Sequence, residues 1–434
     1  MAELTHGFTI DPDKCRGCFS CMRACPTHAI RVRDLRAHYR PDHCIDCGVC
    51  LRACSRNAIS ATTWSVDDLS RFKFKVAVPS PVLFCQVPPS VTPDMVVGGL
   101  HALGFDAVWD YAVELDLVAH AIHEYVERWR GVTPLISISC PVVVRLVQVS
   151  YPHLVDQLIP IQLPREIAGR EAKRRYSAQL GLSRDEIAAI YITPCQAKTI
   201  SVLQPAEDTV SYLDGTMGIA NIYNSIFAYA SQHKHEATEA RHHPVVRNAT
   251  FLGGSYLSEG MGYHLPPHRC LRVTGLSDIS QVFEDVEKGK LRKVDFIDAY
   301  TCWSGCTGGN LTVANVYLTR RIVHALSAHL PKTDDETEAE VEKRRLTEDF
   351  SLDRPIRPRL IRGRAGSLKE RVQMIQLADT TVATLPGLDC GLCGAPTCKE
   401  LARDVSVGDA TKQDCVFISK DRLSKLRRAY LPRT

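Results

Sequence analysis

Polar and apolar positions change their rhythm near residue 60. Before it the chain is short of apolar runs and is punctuated by cysteine; beyond it, apolar runs of strand length alternate with stretches of helical period. Phe74-Lys75-Val76-Ala77-Val78 predicts a strand, and a loop marked by Pro88, Pro89 and Pro93 leads to a helix over 95–103 that stops at Gly104. Gly98-Gly99 inside that helix argues against it. Ala107-Val108-Trp109-Asp110 predicts a second strand and 115–130 a long helix. Leu135-Ile136-Ser137-Ile138-Ser139 predicts a buried strand that delivers Cys140-Pro141, and 186–192 does the same for Pro194-Cys195. Strand and helix in alternation imply a wound α/β domain, whose ligands lie beyond the carboxyl ends of the strands. Residues 311–332 have the period of an amphipathic helix, and 333–349, dense in acid and base, reads as a solvated helix or linker.

Composition narrows the class. In 434 residues, 45% hydrophobic and 24% charged, there is room for two to four domains and a large core. A net charge of +4 and a pI near 8.2, with no basic run interleaved with aromatics, give no reason to expect nucleic acid. The basic stretch 420–433, with Lys425, Arg427 and Arg428, reads either as a docking segment for another subunit or as a solvated helix end. The N-terminus lacks a signal-peptide pattern and no run of about eighteen apolar residues occurs, so neither secretion nor a membrane span is expected. Eighteen cysteines in such a chain imply metal or redox chemistry in a reducing compartment, hence a cytoplasmic location.

The cysteines fall into groups. Cys15, Cys18 and Cys21 with Cys25, then Cys44, Cys47 and Cys50 with Cys54, form an internal repeat, each copy ending in an Ala-Ile pair at Ala29-Ile30 and Ala58-Ile59. This is the spacing of a two-cluster ferredoxin, in which the fourth cysteine of each run serves the other cluster. On that pattern Cys15, Cys18, Cys21 and Cys54 hold one [4Fe–4S] cube and Cys44, Cys47, Cys50 and Cys25 the second. Zinc has no use for the third cysteine of each run. Near the end, Cys390, Cys393, Cys398 and Cys415 provide four more thiols. Their spacing alone does not exclude a zinc knuckle, but the iron-type company favours a further [4Fe–4S] cluster. Between these, Cys302-Trp303-Ser304-Gly305-Cys306-Thr307-Gly308-Gly309 spaces two thiols by four, with glycines implying that backbone passes close to whatever the sulfurs hold. With Cys140 and Cys195 they make four thiolates, the number a cubane needs. Cys85 and Cys270, without companions, read as small core residues.

Ser137-Ile138-Ser139-Cys140-Pro141, Pro194-Cys195-Gln196-Ala197-Lys198 and Cys302 to Gly309 preceded by Asp298 resemble the three signatures of the [FeFe] hydrogenases, and the family's arrangement fits from about residue 10 to 420. The resemblance implies an α+β ferredoxin-like cluster domain (1–65), an α/β hydrogenase-type catalytic domain (66–332), a linker or helical segment (333–378) and a small helical iron-sulfur domain (379–434). It implies that Cys140, Cys195 and Cys302 hold a cubane, that Cys306 bridges it to a diiron unit with carbonyl and cyanide ligands, and that Lys198 donates to a cyanide. With the flanking motifs this makes four [4Fe–4S] clusters.

The departures from the family are informative. Active members carry a proton-relay cysteine where this chain has Ser139, and carboxylates of the proton path where it has Ile122 and Tyr125. Ser201 stands for a usual glutamate, and Thr193 for the methionine before Pro194. A hydroxyl is a far weaker acid than a thiol, so a relay through Ser139 is slow. These changes resemble the sensory branch, in which a PAS domain and a kinase or phosphatase usually follow; none is in this sequence, so output would lie on another polypeptide. Two readings stay open. One is a slow or sensory hydrogenase acting on hydrogen or protons with a protein redox partner or a separate signalling or oxidoreductase subunit. The other is a non-catalytic electron-transfer subunit that holds cubanes only. A metabolic enzyme with a different proton route, through His120 or His123, is the least favoured.

Overall fold

The computed structural model describes residues 5–206, 210–233, 244–329, 334–359, 361 and 367–419, so the basic stretch 420–433 lies outside the described residues. The chain forms two units, one of Met1–Ala61 with Pro358–Thr434 and one of Thr62–Arg357. Among the described residues no helix is long and apolar enough to cross a membrane.

In the first unit, β1 (Phe8–Ile10), α1 (Ser20–Ala24), β2 (Ile30–Arg33), β3 (Arg36–Tyr39), α2 (Val49–Ala53) and β4 (Ile59–Ala61) follow one another. β1 pairs antiparallel with β4, joining the ends of the repeat, while β2 and β3 form a hairpin. The two copies share their backbone as well as their spacing. Positive φ recurs at Gly17 and Asp46, Phe19 and Gly48, and His28 and Asn57. Each single-turn helix thus starts from a left-handed residue that turns the chain around the sulfurs.

The second unit begins with β5 (Phe74–Pro79), α3 (Pro93–Ala102), β6 (Ala107–Val108), α4 (Tyr111–Arg128), β7 (Leu135–Ile136), α5 (Pro141–Ser150) and α6 (Pro164–Leu180). It continues with β8 (Ile187–Thr193), α7 (Gln196–Leu203), β9 (Gly215–Gly218), α8 (Ile219–Gln232) and α9 (Pro244–Glu259), then β10 (Cys270–Thr274), α10 (Leu276–Glu287), β11 (Phe296–Tyr300), α11 (Val316–His329) and α12 (Asp335–Thr347). The strands make two parallel sheets rather than one, ordered β6-β5-β8-β9 and β10-β11-β7. β8 is buried from end to end because both its faces are covered. Ile190 and Ile192 join Val96, Leu100 and Ile226 in one core, and Ala189 and Tyr191 join Leu115, Ile122 and Ile167 in the other.

Of the segment 333–349, read as a solvated helix or linker, Thr333 lies outside the described residues and the rest is a helix whose side chains are mostly exposed, with one face packed. α12 docks on α4, burying Val341, while Arg344 Nη1 pairs with Glu114 Oε1 at 2.9 Å and Arg345 Nη1 with Glu124 Oε1 at 2.6 Å. Charge density, read as a mark of solvation, also serves helix-to-helix pairing. The expected domain limits also differ from the observed division. α12 belongs with the central unit, whereas α13 (Leu368–Thr384) and α14 (Cys398–Ser406) share a unit with the N-terminal segment. Arg31 makes the join: its buried guanidinium meets Asp404 at 2.6 Å and Glu400 at 2.9 Å, and Val32 N–H donates to Gly394 O at 2.9 Å.

Candidate functional site

Three strand ends build the central site. β8 runs into the turn at Pro194 and presents Cys195 as the residue before α7; β7 leads through Ser137–Ser139 to Cys140 before α5; β11 ends just before Cys302. Thr193 fixes the first turn, its hydroxyl donating to Cys195 O at 2.9 Å while accepting from Cys195 N at 3.3 Å. Pro141 occupies the first turn of α5, where no N–H is missed. Cys140 and Cys195 therefore each stand at the residue before a helix.

The sulfurs gather. Cys195 is pushed up to about 11 by burial, with the sulfurs of Cys306 and Cys140 adding to that and Lys198 opposing it. Thr301, next to Cys302 in the chain, has its hydroxyl 3.6 Å from Cys140 Sγ. Gly309 explains part of the glycine pattern: a Cβ there would come 2.2 Å from Pro194 O, so the cysteine loop packs backbone to backbone against the Cys195 turn. The close approach implied by Gly308-Gly309 is thus to Trp303 and Pro194 carbonyls.

Around Cys306 stand Lys198, which the motif at Cys195 singled out, and tyrosines that the sequence did not. Lys198, fully buried, directs Nζ to Cys306 Sγ at 3.6 Å and to the Tyr191 hydroxyl at 3.3 Å. Burial alone would lower its proton affinity; Cys306 and the tyrosines 191, 256 and 111 more than offset that and hold it cationic. The Tyr256 hydroxyl lies 3.2 Å from the same sulfur, and burial followed by Cys306 keeps its phenol protonated. Asp298 is buried, accepts from Met261 N at 2.7 Å and is pushed up to about 6 by burial, against the pull of Arg272.

The departures have definite surroundings. Ser139 is buried, its hydroxyl accepting from Ser137 Oγ at 3.0 Å. Ser201 accepts from the buried Arg165 at 2.8 Å and donates to Lys198 O at 2.9 Å. Ile122 lies in the core, and Tyr125 stacks on Trp129 with centroids 5.5 Å apart. Of the lone cysteines, Cys85 is buried with its thiol donating to Val82 O at 3.1 Å, and Cys270 opens β10 with its thiol pushed up to about 12 by burial.

In the first unit, Cys15, Cys18, Cys21 and Cys54 line one cavity. Burial pushes Cys21 up to about 11, with Cys15, Cys18 and Cys54 contributing. Burial likewise pushes Cys47 up to about 12, Cys25 contributing, and raises Cys44 and Cys50, each beside Cys47 and Cys25. The repeated alanines now have a role: Ala29 N–H donates to Cys25 Sγ at 3.2 Å and Ala58 N–H to Cys54 Sγ at 3.3 Å. Cys393 is raised by burial, with Cys390 and Cys415 adding, and Cys398 packs in the same small core at the start of α14. Such donor sets fit iron. Buried thiols that resist ionisation one beside another become thiolates together only when cationic metal replaces their protons, and the N–H donors lower the cost further.

Comparison with known proteins agrees in kind. Residues 73–245 match the family described as iron only hydrogenase large subunit, C-terminal domain; 8–55 match the 4Fe-4S dicluster domain; and 385–417 match the FeS family of Fe-S cluster proteins. The chain is 32% identical over 222 residues, 47% of its length, to the periplasmic [Fe] hydrogenase large subunit of Nitratidesulfovibrio vulgaris. It is 33% identical over 67 residues, 15% of its length, to a cytosolic Fe-S cluster assembly factor NAR1 homolog of Schizosaccharomyces japonicus. It spans between 13% and 53% of the length of the curated relatives it matches. A variant of the [FeFe]-hydrogenase HydA1 from Chlamydomonas reinhardtii aligns in structure with a TM-score of 0.49 at 16% identity, covering 69% of this chain and 97% of that one.

Proposed function

From a chain whose central domain is of the iron-only hydrogenase type and whose two ends carry iron-sulfur motifs, we propose a hydrogenase-like redox protein, slow at turnover, that reports on hydrogen or redox state to a separate protein. The observation that carries the reading is the buried Lys198, whose ammonium faces the Cys306 sulfur at 3.6 Å. Cys140, Cys195, Cys302 and Cys306 would hold a cubane with its bridged diiron unit, which when bound supplies the place where protons and electrons interconvert with hydrogen. Lys198 would hold positive charge there as a point donor, and Tyr256 would supply a hydrogen bond to the bridging sulfur. Ser139 holds a hydroxyl where a thiol would move protons quickly. Nothing at Ile122 or Tyr125 can relay one onward, since an alkyl chain carries no proton and a stacked phenol gives one up only at high pH. Sixteen cysteines in iron-type groups, all eighteen unpaired by disulfide, support a reducing compartment such as the cytoplasm and a protein electron partner.

Hydrogen evolution by protein matured together with the diiron-assembly machinery tests this. The expected rate is well below that of a metabolic hydrogenase under the same reductant; equal turnover would remove the argument from Ser139, Ile122 and Tyr125. The second reading, an electron-transfer subunit with cubanes alone, is favoured by the Tyr256 hydroxyl, which takes up one side of Cys306 Sγ at 3.2 Å. Infrared absorption by carbonyl and cyanide separates the two.

A further inference from the structure

Outside the sulfur pocket, α4 and the loop that follows α9 bring together a carboxylate and two imidazoles. Asp116 Oδ1 accepts from the Tyr263 hydroxyl and from His264 Nε2, the latter at 3.0 Å. Its Oδ2 lies 3.7 Å from Nε2 of His120, one helical turn along α4. The two imidazoles stack with centroids 3.8 Å apart and planes inclined by 22°. One ligand atom from each of the three residues lies within 4.8 Å of the other two. Asp116 is buried, whereas the His120 and His264 side chains are 31% and 28% exposed, so the group is built from inside and reached from outside.

Chemistry selects the ligand. Two imidazoles stacked this closely repel one another if both are protonated, and a neutral ring offers a nitrogen lone pair. Asp116 accepts hydrogen bonds from His264 and Tyr263, which hold the carboxylate in place. Neutral imidazole with carboxylate is the donor set of borderline divalent ions of the zinc type, and a second partner on the carboxylate orients it. Arg345 and Glu342 of α12 stand close by with opposite charges.

We propose that Asp116, His120 and His264 form a binding site for one divalent transition-metal ion of the zinc type, with a fourth position open to solvent and Tyr263 holding the carboxylate in place. The ion ties the loop after α9 to α4. That loop follows the helix whose Tyr256 touches Cys306, so loading the site fixes the support of the sulfur pocket without entering it.

The test uses the full-length, cluster-loaded protein, freed of adventitious metal with a chelator and dialysed against micromolar zinc sulfate. Zinc is counted by mass spectrometry and its environment read by X-ray absorption at the zinc edge, where iron does not interfere. The expected result is one zinc per chain with nitrogen and oxygen neighbours at about 2.0–2.1 Å and an outer imidazole shell. His120→Ala and His264→Ala should each lose the zinc with iron content unchanged. No bound zinc, a sulfur shell at about 2.3 Å, or zinc retained in both variants would overturn the proposal. If a variant loses its iron, the neighbour shell of the unaltered protein decides alone, by the same two criteria of presence and absence of sulfur.

Discussion

Replacing Ser139 by cysteine puts a thiol where the buried hydroxyl now rests on Ser137. A positioned acid of suitable strength is worth about 10²–10⁴ in rate, but Ile122 and Tyr125 still interrupt the route behind it. Ser139→Cys is therefore expected to raise hydrogen evolution of the matured protein by no more than roughly tenfold, measured with a reduced dye as electron donor. Asp298 gives a pH test. Its folded value of about 6 is above the ordinary 3.8, so between those values the folded state binds the extra proton and stability falls as pH rises, the loss being complete above about 6. Asp298→Asn removes that dependence, and its unfolding midpoint should gain on the unaltered protein as the pH goes from about 5 to about 7.5. At this scale the iron-sulfur motifs at the two ends of the chain were legible because a cluster needs thiols at fixed short spacings. Tyr256 was not, since its approach to Cys306 is made by packing between segments fifty residues apart and leaves no local pattern.

Elements were legible where period and length agreed. The strands at 74 and 187, the helices of α3 and α4 and the amphipathic α11 follow from pattern, within a few residues at their ends. Gly98-Gly99 counted against α3 in the sequence, yet α8 crosses there, and a Cβ on Gly99 would lie 3.2 Å from Ile226 Cα. At α12 charge marked a mostly solvated helix, but not the face that docks, because ion pairs to α4 look the same in sequence as a solvated surface. Pairing at long range was equally hidden: Arg31 and Asp404 are separated by most of the chain, and nothing at either position marks the other. Removing one member of a buried ion pair leaves charge uncompensated, at a cost of about 3–5 kcal/mol. Arg31→Met should thus loosen α14 from the N-terminal repeat. Limited proteolysis should release the segment containing Cys390 to Cys415, with about four irons fewer per chain. Unchanged iron and unchanged proteolysis would mean that Arg33 and Arg40, 3.5 and 3.0 Å from Asp404, suffice without it.

For the whole molecule, the division into an iron-sulfur unit made from both ends of the chain and a central α/β unit could not be read in order along the sequence. Contiguous stretches suggested four domains, whereas packing joins the first and last. What the sequence displays is sixteen thiols in four groups, three with local spacing and one, Cys140, Cys195, Cys302 and Cys306, drawn from the strand ends of two sheets. The central claim is that this last group holds a bridged diiron centre at Cys306. It is tested most directly by the infrared spectrum of protein matured with the diiron machinery, taken together with an iron count. Carbonyl and cyanide bands that vanish in Cys306→Ser, with about eighteen irons per chain, are the expected result. A full complement of cubanes without such bands would contradict it and leave an electron-transfer subunit in its place.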